Sequence, residues 1–153
     1  MLKKYLGNNI WEGIGRCSDM IWFSFGKDIL VTNYRKQVVK KTEYALHVQC
    51  SWRISKENTI ILGTNDVYTL APNSIEDDWD ISGNNMFDKI VNETIIPLLP
   101  MKILKVECNK IGDIEIIFET GIVLNIFVNS SEPIEEWRFI NNLSGEHLVY
   151  RDY

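Results

Sequence analysis

Residues 44–54 read YALHVQCSWRI, and apolar and polar side chains alternate along the whole stretch. Tyr44, Leu46, Val48, Cys50, Trp52 and Ile54 fall on one side of an extended chain, and Ala45, His47, Gln49, Ser51 and Arg53 on the other. Successive side chains of a strand point to opposite faces, so this period of two predicts a β-strand with one face on a core. The polar side raises the functional question, because His47, Gln49 and Arg53 either meet water or line a site.

The same reading extends outward in both directions. Leu2 to Leu6 suits a short helical turn, and Ile10 to Arg16 an extended segment ending in a turn at Ser18-Asp19. Residues 20–25, MIWFSF, are apolar on both sides, as in a strand covered on both faces, and Gly26-Lys27-Asp28 reads as its end. After the opening strand, Lys56-Glu57-Asn58 turns and residues 59–62 return as a hairpin partner. Lys102 to Cys108 extends next. Ile114 to Glu119 then pairs with Ile122 to Asn129 across Thr120-Gly121, with Ile114, Ile116, Phe118, Ile122, Leu124 and Ile126 facing inward. Further strands are expected over Glu136 to Ile140 and His147 to Arg151.

One helix stands out among these strands. Asn85 suits an N-cap, Asp88 lies in the first turn, and Phe87, Ile90, Val91 and Ile95 recur at helical spacing. The helix is expected over 86–95, stopping before Pro97 and Pro100. Consecutive antiparallel strands usually pair. The expected fold is therefore α+β and predominantly antiparallel: a meandering curled sheet, or a flattened barrel, with one main helix and a single domain over 1–153.

Composition bounds the function. With 153 residues, 45% of them hydrophobic and 24% charged, the chain can bury a core unaided and lies outside the disordered class. No apolar run approaches the roughly 18 residues of a membrane span, and the start, MLKKYLGNNIWEG, lacks an apolar signal core. A cytoplasmic location with no membrane contact is expected. Cys17, Cys50 and Cys108 are widely spaced and without a CxxC pair, which predicts free thiols, with Cys50 acting as a small core hydrophobe.

The net charge of -5 is unevenly spread. Residues 1–60 carry +5 and residues 61–153 carry -10, an asymmetry that can steer a basic partner toward one surface. Residues 33–41, NYRKQVVKK, are the most basic stretch. In an acidic chain they are expected to form a solvated loop or a lysine-protected strand edge, with no nucleic-acid contact.

Residues 64–85 form a long polar connection, of a length that tends to be functional in compact domains. Within it, Asp78-Trp79-Asp80-Ile81-Ser82-Gly83 copies the first half of a calcium loop, but Lys89 occupies the position of the closing glutamate. No metal is expected there, nor a zinc site around the two histidines, His47 and His147. No nucleophile elbow, phosphate loop or dinucleotide fingerprint occurs, so no cofactor is expected and the pattern points away from catalysis.

The string from Glu43 to Ile54, with Asp19-Met20, Phe25-Gly26, Gly112-Asp113-Ile114, Glu136-Trp137-Arg138-Phe139 and His147-Leu148-Val149, resembles a family of small bacterial proteins of unknown function. The similarity spans most of the chain. It departs at Ser51, where relatives often have proline before the tryptophan, a change that restores a ladder donor. The resemblance implies a bacterial, cytoplasmic, single-domain protein and brings no activity. Because the shared strings include polar positions, His47, Gln49, Arg53, Trp137, Arg138 and His147 become candidates for one binding patch. The leading expectation is a non-enzymatic interaction protein, of the immunity type that masks a toxin, meeting a basic protein partner through an acidic surface. The alternative is a small-ligand binder or enzyme with a polar pocket around His47 and Arg53.

Overall fold

Leu46, Val48, Cys50, Trp52 and Ile54 are all buried, as their alternation requires, yet they fall on two strands, with Cys50 in the corner between them, rather than on one. In the computed structural model, which describes residues 1–150, ten strands form one antiparallel sheet. They are β1 (Ile10–Cys17), β2 (Met20–Thr32), β3 (Val38–Val48), β4 (Ser51–Lys56), β5 (Thr59–Gly63), β6 (Met101–Cys108), β7 (Ile114–Phe118), β8 (Ile122–Phe127), β9 (Trp137–Asn141) and β10 (Glu146–Tyr150). Their order is β10-β9-β3-β2-β1-β6-β7-β8-β4-β5. The sheet has two ends, β10 and β5, so it is curled rather than closed into a barrel. The last expected strand appears as β10, and its expected final residue, Arg151, lies outside the described residues.

Two five-stranded halves meet where Ile10 and Trp11 of β1 pair with Lys102 and Met101 of β6. The chain passes between the halves at Gln49 and Cys50, whose amides both donate to the Glu136 carbonyl, at 2.9 and 3.2 Å. This corner interrupts the expected single strand over 44–54. The alternation survives it because β3 and β4 bury their apolar sides in one shared core. Ring contacts run through that core: Trp11 to Phe118 at 4.8 Å, Trp11 to Phe23 at 5.9 Å, and Phe23 to Trp52 at 6.2 Å.

Helices cover two places along the core. In α1 (Leu2–Leu6), Leu2 and Leu6 are buried, and Tyr5 lies against Tyr44 and Phe139. In α2 (Met86–Ile90), Phe87 meets Trp52 edge-on at 5.9 Å. The Asn85 side chain accepts the Asp88 amide at 2.8 Å, as expected of an N-cap. The segment continues as a π-type turn over Val91–Ile95 and a 3-10 turn over Ile96–Leu98, so the helix spans the predicted range with a change of pitch.

The expected end of the second strand at Gly26-Lys27-Asp28 is instead a β-bulge. Register slips between Phe25 and Asp28, Gly26 adopts φ +83°, and the Lys27 amide donates to a Glu43 carboxylate oxygen at 3.0 Å. A glycine that would signal a turn here supplies the left-handed residue of a bulge, and β2 runs on to Thr32. Beyond it, among the described residues, β2 and β3 pair only with each other. Contact of β1 with β2 stops at Trp11 and Phe25, and β9 joins β3 only from Asn141 and Tyr44. Residues 27–42 therefore project as a two-stranded arm, closed by a turn in which the Asn33 side chain accepts the Arg35 and Gln37 amides.

Candidate functional site

On the outer face of the first half, register places Gly15, Trp22, His47, Arg138 and Val149 opposite one another across β1, β2, β3, β9 and β10. Ser24, Ala45, Ile140 and His147 form a second row on β2, β3, β9 and β10. Gly15 is required there because the Trp22 indole lies across it, and an added Cβ would sit 2.3 Å from the ring. The small residues Ser24 and Ala45 leave a groove of about 500 Å³, walled by Trp22 and His47 and bordered by Lys41 of the arm and by Asn142.

Arg138 organises the far side of this face. Its Nε and Nη2 donate to the two carboxylate oxygens of Glu135, at 2.9 and 2.6 Å, and its Nη1 lies 3.2 Å from His147 Nδ1. An arginine can only donate, so that histidine nitrogen is the acceptor. Hydrogen bonding to Arg138 holds the Glu135 carboxyl below its ordinary range. Burial, reinforced by the Arg138 charge, pushes the His47 pKa down, so this imidazole is neutral at pH 7. Both Glu135 carboxylate oxygens bond to Arg138, and among the described residues no carboxylate is hydrogen-bonded to His47.

The structure thus gathers three of the six candidate residues: His47, Arg138 and His147. Gln49 is exposed at the corner between the halves. Arg53 lies on β4, in the other half of the sheet, with its guanidinium 5.1 Å over the Phe127 ring. A pocket built jointly by His47 and Arg53 is therefore replaced by a groove that holds His47 alone. Trp137 points inward, 2% exposed, and its indole N–H donates to the Gly112 carbonyl at 2.9 Å. Its place is in the core, because β9 alternates and Arg138 takes the outward position.

A second constellation has no counterpart among the candidates read from sequence. Arg16 follows outward-facing Gly15, so it occupies the core-facing side of β1, and its side chain is only 8% exposed. Its Nε and Nη2 fork onto the Asp88 carboxylate at 2.9 and 2.8 Å, and Nη1 reaches Asp80 at 3.0 Å. The same guanidinium donates to the carbonyls of Ser18 and Asp80, both at 3.1 Å. Burial works to raise the pKa of Asp88 and to lower that of Arg16; their mutual hydrogen bonds, with the Gly83 amide on Asp88, outweigh it and keep both charged.

Two asparagines complete the fastening. Buried Asn84 accepts the Ile75 amide at 3.0 Å and donates to the carbonyls of Glu76 and Asp78 at 2.7 and 2.8 Å. Buried Asn85 donates to the Trp79 carbonyl at 2.8 Å while capping α2. Trp79 packs edge-on against Tyr68, whose hydroxyl donates to Asp19. Outside this base, Ile75 is 94% exposed and Glu76, Asp77 and Asp78 face solvent. The half calcium motif falls here, with Asp80 paired to Arg16 and Asp78 accepting the Asp80 amide at 2.9 Å. An arginine at an inward strand position, and paired asparagines before a helix, are the sequence signals that point to this base.

Set against family models, curated proteins and solved structures, the chain matches none.

Proposed function

We propose that this protein is a non-enzymatic binding module that presents the loop over residues 72–83 to a basic surface on a partner protein, as an immunity-type protein masks a toxin. The observation that carries this reading is the contrast within the loop: exposed Ile75, Glu76, Asp77 and Asp78 at the tip, and a base held by Arg16, Asn84 and Asn85. A loop ordered before binding loses less entropy on docking. One apolar anchor ringed by carboxylates suits a partner with a small apolar recess in a cationic surface, and the acidic charge speeds encounter. The outer-face groove beside His47 supports a second reading as a small-ligand site, since Trp22 gives it an aromatic wall.

The test compares wild-type protein with the triple variant Glu76→Lys, Asp77→Lys, Asp78→Lys and with Ile75→Asp, each immobilised and exposed to lysate of the native host at low and high salt. The expected result is one basic protein retained by wild type at low salt, lost with the triple variant and weakened by Ile75→Asp. Equal retention by all three proteins rules the loop out. Retention abolished instead by His47→Ala transfers the function to the groove.

A further inference from the structure

The arm over residues 27–42 leaves its backbone open on the β2 side. The Asn33 amide donates to the Gln37 carbonyl, which sets the phase of the ladder. In antiparallel pairing, hydrogen-bonded and non-hydrogen-bonded pairs alternate, so Val31/Val39 and Ile29/Lys41 bond inward. The amides and carbonyls of Asp28, Leu30 and Thr32 therefore point outward on one edge, and those of Val38, Lys40 and Thr42 on the other. The phase is borne out at Thr42, whose outward carbonyl accepts the Asn142 side-chain amide at 2.8 Å.

The two edges differ in protection. The β3 edge carries Lys41 and is partly covered by Asn142, the usual means of blunting an edge, while the Lys40 ammonium crosses the ribbon to the Asp28 carboxylate at 2.6 Å. Between Asp28 and Thr32 the β2 edge reads Asp-Ile-Leu-Val-Thr, without a lysine, a proline or, among the described residues, any neighbouring strand. Leu30 is 74% exposed and Tyr34 at the tip 86%. Residues 27–41 hold five basic and one acidic side chains, +4, on a chain whose remainder is -9. On the β2 side, Lys27 stands at the base of the arm and Arg35 and Lys36 at the tip.

We infer that the β2 edge, residues 28–32, takes up an extended segment of a partner protein as an added strand, and that this segment is apolar in its middle with a carboxylate at each end. Backbone pairing supplies the affinity, Leu30 and its neighbours receive the alternate apolar side chains, and Lys27 and Arg35-Lys36 receive the terminal charges. A second copy of the chain is disfavoured, because antiparallel self-pairing brings the cationic tip of each arm onto Lys27 of the other. A lipid surface is disfavoured too, since a two-stranded ribbon cannot satisfy its outward backbone groups in hydrocarbon. This site uses residues apart from the 72–83 loop, and the variants below leave the loop unchanged.

The probe is a synthetic peptide of alternating valine and threonine with an aspartate at each end, titrated into isotopically labelled full-length protein and followed by amide NMR shifts. The inference predicts saturable shifts centred on Asp28, Leu30 and Thr32. It also predicts that exchanging the terminal aspartates for lysine, or N-methylating the peptide backbone, weakens binding at least about tenfold. Leu30→Pro removes an outward amide without touching the inner ladder, so the variant folds and loses the peptide, whereas Leu30→Thr keeps it. Absence of shifts, equal binding of the N-methylated peptide, or shifts confined to Val38 to Thr42 would overturn the inference. So would Leu30-dependent binding of anionic vesicles in place of the peptide.

Discussion

The loop over 72–83 and the arm over 27–42 invert the usual association of regular structure with order. The loop is irregular, yet its carbonyls and amides are met by Arg16, Asn84 and Asn85, side chains that are themselves buried or nearly so. The arm is regular, yet its strands touch little but each other and expose Leu30, Tyr34 and Val38. An isolated two-stranded ribbon is marginal in water, whereas a loop whose polar groups are satisfied locally gains the stability of those bonds. Tertiary partners, and not backbone regularity, set which region is rigid.

The strongest way to break this contrast is Arg16→Ala. It leaves Asp88 without its main partner at a nearly buried site and should cost about 3–5 kcal/mol in denaturant unfolding. The loss should come with protease cleavage within 72–83 and no change in the arm. Acid offers a graded version of the same break. Asp88 has a folded pKa below its ordinary carboxyl value, so its contribution is complete above about pH 5 and fades as pH falls through about 4 and below. Stability between pH 6 and 3 should therefore fall less steeply in Asp88→Asn than in wild type, and an equal slope would mean the ion pair contributes little.

Asn85→Ala is a smaller break, removing the α2 cap and the bond to the Trp79 carbonyl; about 1–2 kcal/mol should be lost by thermal unfolding. At the other end of the scale, Leu30→Ser and Val38→Thr should change stability by no more than about 0.5 kcal/mol, because these side chains bury little. A larger loss would mean the arm packs more than its exposure implies.

The apolar half of the fold was legible because burial follows a period of two wherever one face is covered. Ile114, Ile116, Phe118, Ile122, Leu124 and Ile126 are all buried as read, and the capped helix begins at its expected place. Two features escaped that reading. The corner at Gln49-Cys50 turns the backbone while the alternation of side chains runs on through it, and the bulge at Gly26-Lys27 shifts the alternation by one residue at a glycine followed by two charged residues, a pattern that also reads as a turn. The polar candidates divided accordingly. His47, Arg138 and His147 meet because neighbouring strands bring them together, and that adjacency depends on the non-consecutive pairing of β3 with β9. Trp137 and Arg53 parted from them because face and half-sheet are set by register. The bonds from Arg16 to Asp80 and Asp88 join residues more than sixty positions apart, a distance over which local pattern is silent, whereas Asn84 and Asn85 bind carbonyls within ten positions of themselves.

Native-state amide hydrogen exchange, read residue by residue, puts the central contrast to its most direct test. The amides of Ile75 and Gly83, bonded to Asn84 and Asp88, should exchange slowly and lose protection together in Arg16→Ala, while the outward amides of Leu30 and Lys40 exchange at nearly unprotected rates in both proteins. Fast exchange at Ile75 and Gly83 in the wild type, or protection at Leu30 equal to theirs, would contradict the account.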